Sequence, residues 1–220
     1  MNLVRRLTPV RLLGACTLAT LLLSVFAFEN TAQAQTPQYS FALASGGNAI
    51  PFNPNLSTSW QKWQSYYNAG LFTGAYAGNI TSVFFQRNAA TSGTTYSNFG
   101  VYIGQSTLTT FPTNAFFSPM TQGLYATSYT IPAGAAGTWF QINLTTPVYY
   151  DPSQTLIVQI CSEGVTAGTG FAINDGAAAT VPNVTRMYGG PLGCSTTAPA
   201  GYSASYRANF GFNLSPALPN

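Results

Sequence analysis

Short stretches of alternating apolar and polar residues recur along most of the chain, and they predict β-strands rather than helices. The stretches are rich in β-branched and aromatic residues, and clusters of Gly, Pro, Asn and Ser separate them. Nine strands are predicted, near residues 39–43, 80–86, 97–103, 123–131, 138–144, 155–162, 170–173, 184–188 and 207–214. Eight or nine short strands with turn signals at this spacing are typical of an all-β, two-sheet, jelly-roll-like sandwich.

Segments rich in Pro and Gly predict the turns between these strands. Two of them are residues 132–137 and residues 147–153, the second of which contains an Asp-Pro pair. A third turn, residues 164–169, would fold residues 155–162 against residues 170–173 as a hairpin.

Residues 59–67 break the alternating pattern. Aromatic residues recur there at a helical spacing, so the segment is either one or two helical turns over a sheet edge or an irregular strand. Six aromatic residues in this region form a candidate binding surface: Trp60, Trp63, Tyr66, Tyr67, Phe72 and Tyr76. An exposed aromatic patch would bind sugar rings or a protein partner. The alternative is a cap over an open sheet edge.

The first 34 residues have the features of a cleavable secretory signal peptide of bacterial type. Three arginines precede an uncharged apolar run, residues 12–28, and Ala32-Gln33-Ala34 is a small-x-small cleavage site. The alternative is a membrane anchor, but the run is at the short end of the spanning range of about 17–25 residues and contains Gly, Ser and Thr. We expect cleavage before Gln35 and no membrane span in the mature protein.

Cleavage would leave a single β-sandwich domain, residues 35–220, with an ordered core at about 38–214. This part of the chain has a small positive net charge. Its charged side chains are Lys62, Arg87, Arg186, Arg207, Asp151, Glu163 and Asp175. No basic patch is available to neutralise phosphates, so nucleic acid is excluded as a partner.

The residue types of the chain argue against an enzyme. It has no histidine, and Ser/His/Asp and Cys/His catalysis need one. Along an extended strand, Asp151 and Glu163 would lie about 40 Å apart, and the predicted hairpin would put Asp175 about 20 Å from each. Glycosidase carboxylates lie about 5–9.5 Å apart. We therefore expect no catalytic residues, no cofactor and no metal site, since zinc needs about four ligands and calcium usually several carboxylates.

Cys161 and Cys194 are the two cysteines that remain after cleavage, and we expect them to form a disulfide. The bond would tie a loop rich in Gly and Pro to the end of an apolar strand. It would close a loop of about 34 residues, which corresponds to roughly 3–4 kcal/mol in the chain-entropy model.

The order of strand and turn motifs after residue 79 resembles that of a family of bacterial β-sandwich modules. The most specific stretch is Tyr150-Asp151-Pro152-Ser153-Gln154, which lies between two apolar strands. Similar stretches occur in secreted jelly-roll-like modules of large surface proteins, beside sorting or anchoring signals. The resemblance covers residues 79–214. It implies a jelly-roll-like fold and a surface or extracellular role, and it implies no catalytic residues because such modules have no established activity.

Together these features predict a secreted, non-catalytic extracellular module that is structural or adhesin-like. The alternative is a carbohydrate-binding module that uses the aromatic residues between positions 60 and 76. Candidate partners are the protein itself, other surface proteins and glycans. The expected location is extracellular or at the cell surface, with the periplasm as the alternative.

Overall fold

The computed structural model describes residues 35–43, 46–56, 60–177 and 184–216. These residues contain no α-helix, so the prediction of an all-β fold is confirmed for this part of the chain. They belong to one compact unit, Ala34–Asn220. The predicted signal peptide, residues 1–34, lies outside the described residues.

Fourteen strands are found in the described residues, more than the eight or nine predicted, because several paired segments are only three to five residues long. The strands are β1 (Tyr39–Phe41), β2 (Gly46–Asn48), β3 (Lys62–Tyr67), β4 (Gly78–Gln86), β5 (Thr94–Ser106), β6 (Thr121–Ile131), β7 (Trp139–Tyr150), β8 (Thr155–Cys161), β9 (Gly164–Gly168), β10 (Ile173–Ala177), β11 (Arg186–Gly189), β12 (Gly201–Ser203), β13 (Tyr206–Ala208) and β14 (Phe210–Pro216).

The strands pair into three antiparallel sheets. The four-stranded sheet has the order β1-β14-β4-β7, and a small sheet has the order β13-β10-β2. The seven-stranded sheet has the order β12-β11-β3-β8-β5-β6, with β9 also paired to β5. The last strand, β14, lies inside the four-stranded sheet, whereas β1 lies at its edge.

The main hydrophobic core fills the space between the four-stranded and seven-stranded sheets. Aromatic side chains meet across this space: the ring centroids of Trp63 and Phe85 are 6.0 Å apart, and those of Tyr67 and Phe210 are 5.0 Å apart. All four side chains are buried. Two antiparallel sheets that face each other across an aromatic core are consistent with the predicted β-sandwich.

A left-handed residue in β5 interrupts the alternation of side chains that face this core. Asn98 has a φ of 47°, a left-handed conformation that Asn adopts more readily than most residues. Tyr96 and Phe99 lie on either side of Asn98, three positions apart, and both face the core, where their ring centroids are 5.5 Å apart. Strict alternation would have placed one of them on the outer face.

The predicted turn at residues 164–169 is wrong, because most of that segment is strand β9. β9 pairs with β5 along one edge, and the carboxamide of Asn55 forms hydrogen bonds with its other edge. Asn55 Oδ1 accepts a hydrogen bond from Val165 N at 3.1 Å, and Asn55 Nδ2 donates to Val165 O at 3.4 Å. The predicted hairpin is therefore also wrong: β8 pairs with β3 and β5, and β10 pairs with β2 and β13.

The last predicted strand, residues 207–214, is divided at Asn209 into β13 and β14. The buried side chain of Asn209 pairs with the backbone of Leu43. Its Oδ1 accepts from Leu43 N at 2.9 Å, and its Nδ2 donates to Leu43 O at 3.3 Å. A carboxamide thus replaces a strand residue as the hydrogen-bonding partner at this corner.

Candidate functional site

The six aromatic residues predicted as a binding surface do not share one exposed face. Trp63, Tyr66, Tyr67 and Phe72 are buried, Trp60 packs half-buried against the main core, and Tyr76 is exposed. The physical reason is that residues 62–67 form β3, an internal strand covered on both faces. The four buried side chains cannot contact a ligand in the folded chain.

The outer face of the seven-stranded sheet is covered by residues 107–120, which we name the 107–120 loop. Its aromatic side chains cover a second hydrophobic cluster that includes Tyr66, Phe111 and Met187. The ring centroids of Tyr66 and Phe111 are 4.4 Å apart. This cover explains why β3 is buried on both faces.

The carboxamide of Gln64 fixes the 107–120 loop to the sheet. Gln64 Oε1 accepts from Phe117 N at 2.8 Å, and Gln64 Nε2 donates to Phe117 O at 3.0 Å. The same carboxamide accepts from the Tyr66 hydroxyl and donates to Gln159 Oε1, both at 2.9 Å. Burial raises the pKa of Tyr66 well above its ordinary value, so this hydroxyl stays protonated as a donor.

A second segment, residues 190–200, crosses the outer face beside the first; we name it the 190–200 loop. The disulfide between Cys161 and Cys194 holds it, with a Cα–Cα distance of 5.0 Å. This confirms the predicted pairing. A Cβ atom on Gly100 would lie 3.0 Å from both sulfur atoms, so the absence of a side chain on Gly100 leaves room for the disulfide.

The three described acidic residues are held in separate local sets of hydrogen bonds. Asp151 accepts from Ser153 N and Oγ within its own turn, and these bonds lower the pKa of its carboxyl. Glu163 Oε2 accepts from Asn98 Nδ2 at 2.6 Å. These contacts fit turn formers rather than a pair of catalytic carboxylates.

Asp175 is the acid with an ionic partner. Its Oδ2 accepts from Arg186 Nη1 at 2.9 Å and from Asn48 Nδ2 at 2.8 Å. Burial raises the pKa of Asp175, and the charge of Arg186 opposes that rise. This pair joins β10 of the small sheet to β11, which is a structural role.

Arg87 is buried without a carboxylate partner among the described residues. Its Nη2 donates to Pro132 O at 2.8 Å, and its Nε donates to Thr91 Oγ1 at 3.2 Å. Its guanidinium lies 4.8 Å from the centroid of the Phe140 ring. Neutral acceptors and a ring face therefore hold this cation against the turn between β6 and β7, and burial lowers its pKa.

An open cleft lies where β5, β6 and β7 approach one another. Its volume is about 420 Å³, and it is lined by residues 103–105, Pro119, Thr121 and residues 147–149. Tyr149 stands at its rim, 51% exposed. The sequence did not predict this site because its lining residues come from three separate segments. The one feature that could have indicated it is Tyr149, an aromatic residue just before the Asp-Pro turn.

Among the described residues, no helix could span a membrane, and no three His, Cys, Asp or Glu side chains are grouped so that they could hold a metal ion. Comparison of the chain with protein-family models, curated proteins and solved structures found no match.

Proposed function

We propose that this chain is a secreted, non-catalytic extracellular module with a jelly-roll-like sandwich fold, which acts through its surface as a structural or adhesin-like protein. The observation that carries the proposal is that each of its acidic groups is engaged in hydrogen bonds of its own. Asp151, Glu163 and Asp175 each have their own hydrogen-bonding partners, and the chain has no histidine to serve as a base. The described residues therefore offer no pair of side chains to act as catalytic acid and base.

The disulfide and the surface support the extracellular part of the proposal. Disulfides are typical of proteins that fold in an oxidising compartment. The surface bears several exposed tyrosines, at positions 125, 149, 202 and 206. Tyrosine combines an apolar ring with a hydroxyl, and it is enriched where proteins make contacts. The proposed partners are the protein itself, other surface proteins and glycans.

The alternative is a carbohydrate-binding module, but the binding site that the sequence predicted for it is mostly buried. Of the six aromatic residues proposed for it, four are buried, and Trp60 and Tyr76 alone do not make a platform. The cleft beside Tyr149 is a separate candidate for a sugar site.

The proposal is tested by expressing the 220-residue chain in a bacterial host and following it by cell fractionation. We expect the processed protein, starting at Gln35, outside the cytoplasm. Sedimentation over a concentration series and attachment of fluorescent protein to cells would then measure self-association and adhesion. Retention of the protein in the cytoplasm, or turnover of a glycan that is lost in Asp151→Asn, would contradict the proposal.

A further inference from the structure

The cleft between β5, β6 and β7 has a neutral lining. None of the eight residues that form it is Asp, Glu, Lys or Arg. A charged ligand would lose hydration on entering and gain no opposite charge, which is unfavourable. The lining therefore selects for an uncharged ligand.

The lining combines exposed apolar side chains with hydroxyl groups. Pro119, Pro147 and the ring of Tyr149 supply the accessible apolar surface, since Ile103 and Val148 are buried in the main core. At the rim, within the described part of the chain, the hydroxyls of Thr121 and Tyr149 have no hydrogen-bond partner. A ligand that suits this surface has an apolar face and hydroxyl groups at its edge, which is the chemistry of a pyranose ring.

Gln105 holds the cleft in shape before any ligand arrives. Its Nε2 donates to Tyr149 O at 2.7 Å, and its Oε1 accepts from Asp151 N at 2.6 Å. Both groups of the carboxamide are therefore used to fix the end of β7 against β5. A preformed site avoids the cost of ordering its residues when the ligand binds.

We propose that this cleft binds a neutral saccharide, with the face of the Tyr149 ring packed on a pyranose and the Thr121 hydroxyl in contact with its edge. A volume of about 420 Å³ lies within the range of about 300–1,000 Å³ for small-molecule sites. The cleft is open, so a longer glycan can continue beyond it. This inference rests on the proposed surface function and names its ligand class.

The test is a calorimetric titration of the mature protein with neutral oligosaccharides, namely cellohexaose, xylohexaose and mannohexaose. We expect at least one to bind, and Tyr149→Ala to weaken that binding by about tenfold or more. Tyr149→Phe should retain most of it, and Thr121→Val should lose several-fold. Tyr202→Ala is the matched control, since Tyr202 is equally exposed but lies on β12, and it should bind like the wild type.

Three results would overturn the inference. They are the absence of binding to all three probes at up to about 10 mM, equal weakening by Tyr202→Ala, and tighter binding of a charged oligogalacturonate or a proline-rich peptide. Melting temperatures of the variants show whether they fold, and quenching of a Tyr149→Trp variant reports the site directly. If the probes fail while the wild type still attaches to cells or self-associates, only the saccharide inference fails; if both fail, the proposed function fails too.

Discussion

The two loops on the outer face of the seven-stranded sheet are held by different interactions. The 107–120 loop buries Phe111 and packs Phe117 and Met120 against the second hydrophobic cluster, and Gln64 pairs with its backbone. No residue of the 190–200 loop belongs to either hydrophobic cluster of the described residues, and Leu192 is 62% exposed.

A loop that cannot bury apolar surface needs another source of stability. In the 190–200 loop this source is covalent: Cys194 is bonded to Cys161, and Gly193 N donates to Gln61 Oε1 at 3.1 Å. The comparison shows that burial and cross-linking are alternative ways to cover the same sheet face. Each loop should therefore respond to a different substitution, which four experiments can test.

The largest effect is expected from Phe111→Ala. Phe111 is buried between Tyr66 and Phe117, at centroid distances of 4.4 and 5.9 Å. The truncation should lower the free energy of unfolding by about 3–5 kcal/mol, because it removes a buried ring and leaves a cavity. Urea denaturation measures the loss, and hydrogen exchange should accelerate in the 107–120 loop.

Leu108→Ala is the control for Phe111→Ala, since Leu108 is in the same loop but 53% exposed. It should change the free energy of unfolding by less than about 0.5 kcal/mol. Faster exchange in the 190–200 loop of the Phe111→Ala variant would show that the two loops are not independent.

Removal of the disulfide should have the next largest effect. The double variant Cys161→Ala/Cys194→Ala should lose about 3–4 kcal/mol of unfolding free energy, since the unfolded chain is no longer constrained. The matched control is Leu192→Ala, on the exposed part of the same loop. Hydrogen exchange should now accelerate in the 190–200 loop while the 107–120 loop stays protected; the opposite pattern would refute the assignment of the two roles.

Substitution of Gln64 should have an intermediate effect. Gln64→Met keeps the length of the side chain but leaves Phe117 N, Gln159 and the Tyr66 hydroxyl without their partner. Leaving buried polar groups unpaired costs about 1–3 kcal/mol. Urea denaturation should show this loss in Gln64→Met and almost none in Gln122→Met, whose side chain is exposed. Equal stability of the two variants would mean that water replaces the lost bonds.

Alternation along the sequence predicted those strands that have a single core face. In β14, Phe210 and Phe212 face the core and alternate with Gly211 and Asn213, so the period of two was visible. β3 was ambiguous because both its faces are covered: Trp63 and Tyr67 face the main core, and Tyr66 faces the 107–120 loop. Its aromatic residues then follow each other at spacings that also fit a helix.

Other features depend on contacts between distant segments, which residue spacing does not report. β9 begins at Gly164 and ends at Gly168, two glycines that resemble turn signals, and it is hydrogen-bonded by Asn55, more than a hundred residues earlier. The cleft likewise combines three segments.

The disulfide was predictable because only two cysteines follow the signal-like region, so the pairing needed no knowledge of the fold.

The smallest expected effect concerns Lys62, which contacts both loops. Its Nζ donates to Thr196 O of the 190–200 loop at 2.8 Å and lies 4.7 Å from the centroid of the Phe116 ring in the 107–120 loop. Burial lowers the pKa of Lys62 from its ordinary value of 10.5. In the window between this lowered pKa and 10.5, the unfolded chain binds more protons than the folded protein. The Lys62 contribution to stability should therefore rise with pH there.

This rise is measured as the difference in unfolding free energy between the wild type and Lys62→Met, from about pH 8 to pH 10.5 at constant salt. Methionine keeps an apolar stem over Phe116 but does not titrate, so it isolates the charge. Burial raises the pKa of tyrosines such as Tyr66, so these residues make the free energy of unfolding fall as the pH rises. The fall is the same in the wild type and in Lys62→Met, so it cancels in the difference between them. A difference that falls with pH across this window would mean that the contact with Thr196 O stabilises the charged ammonium more than burial destabilises it.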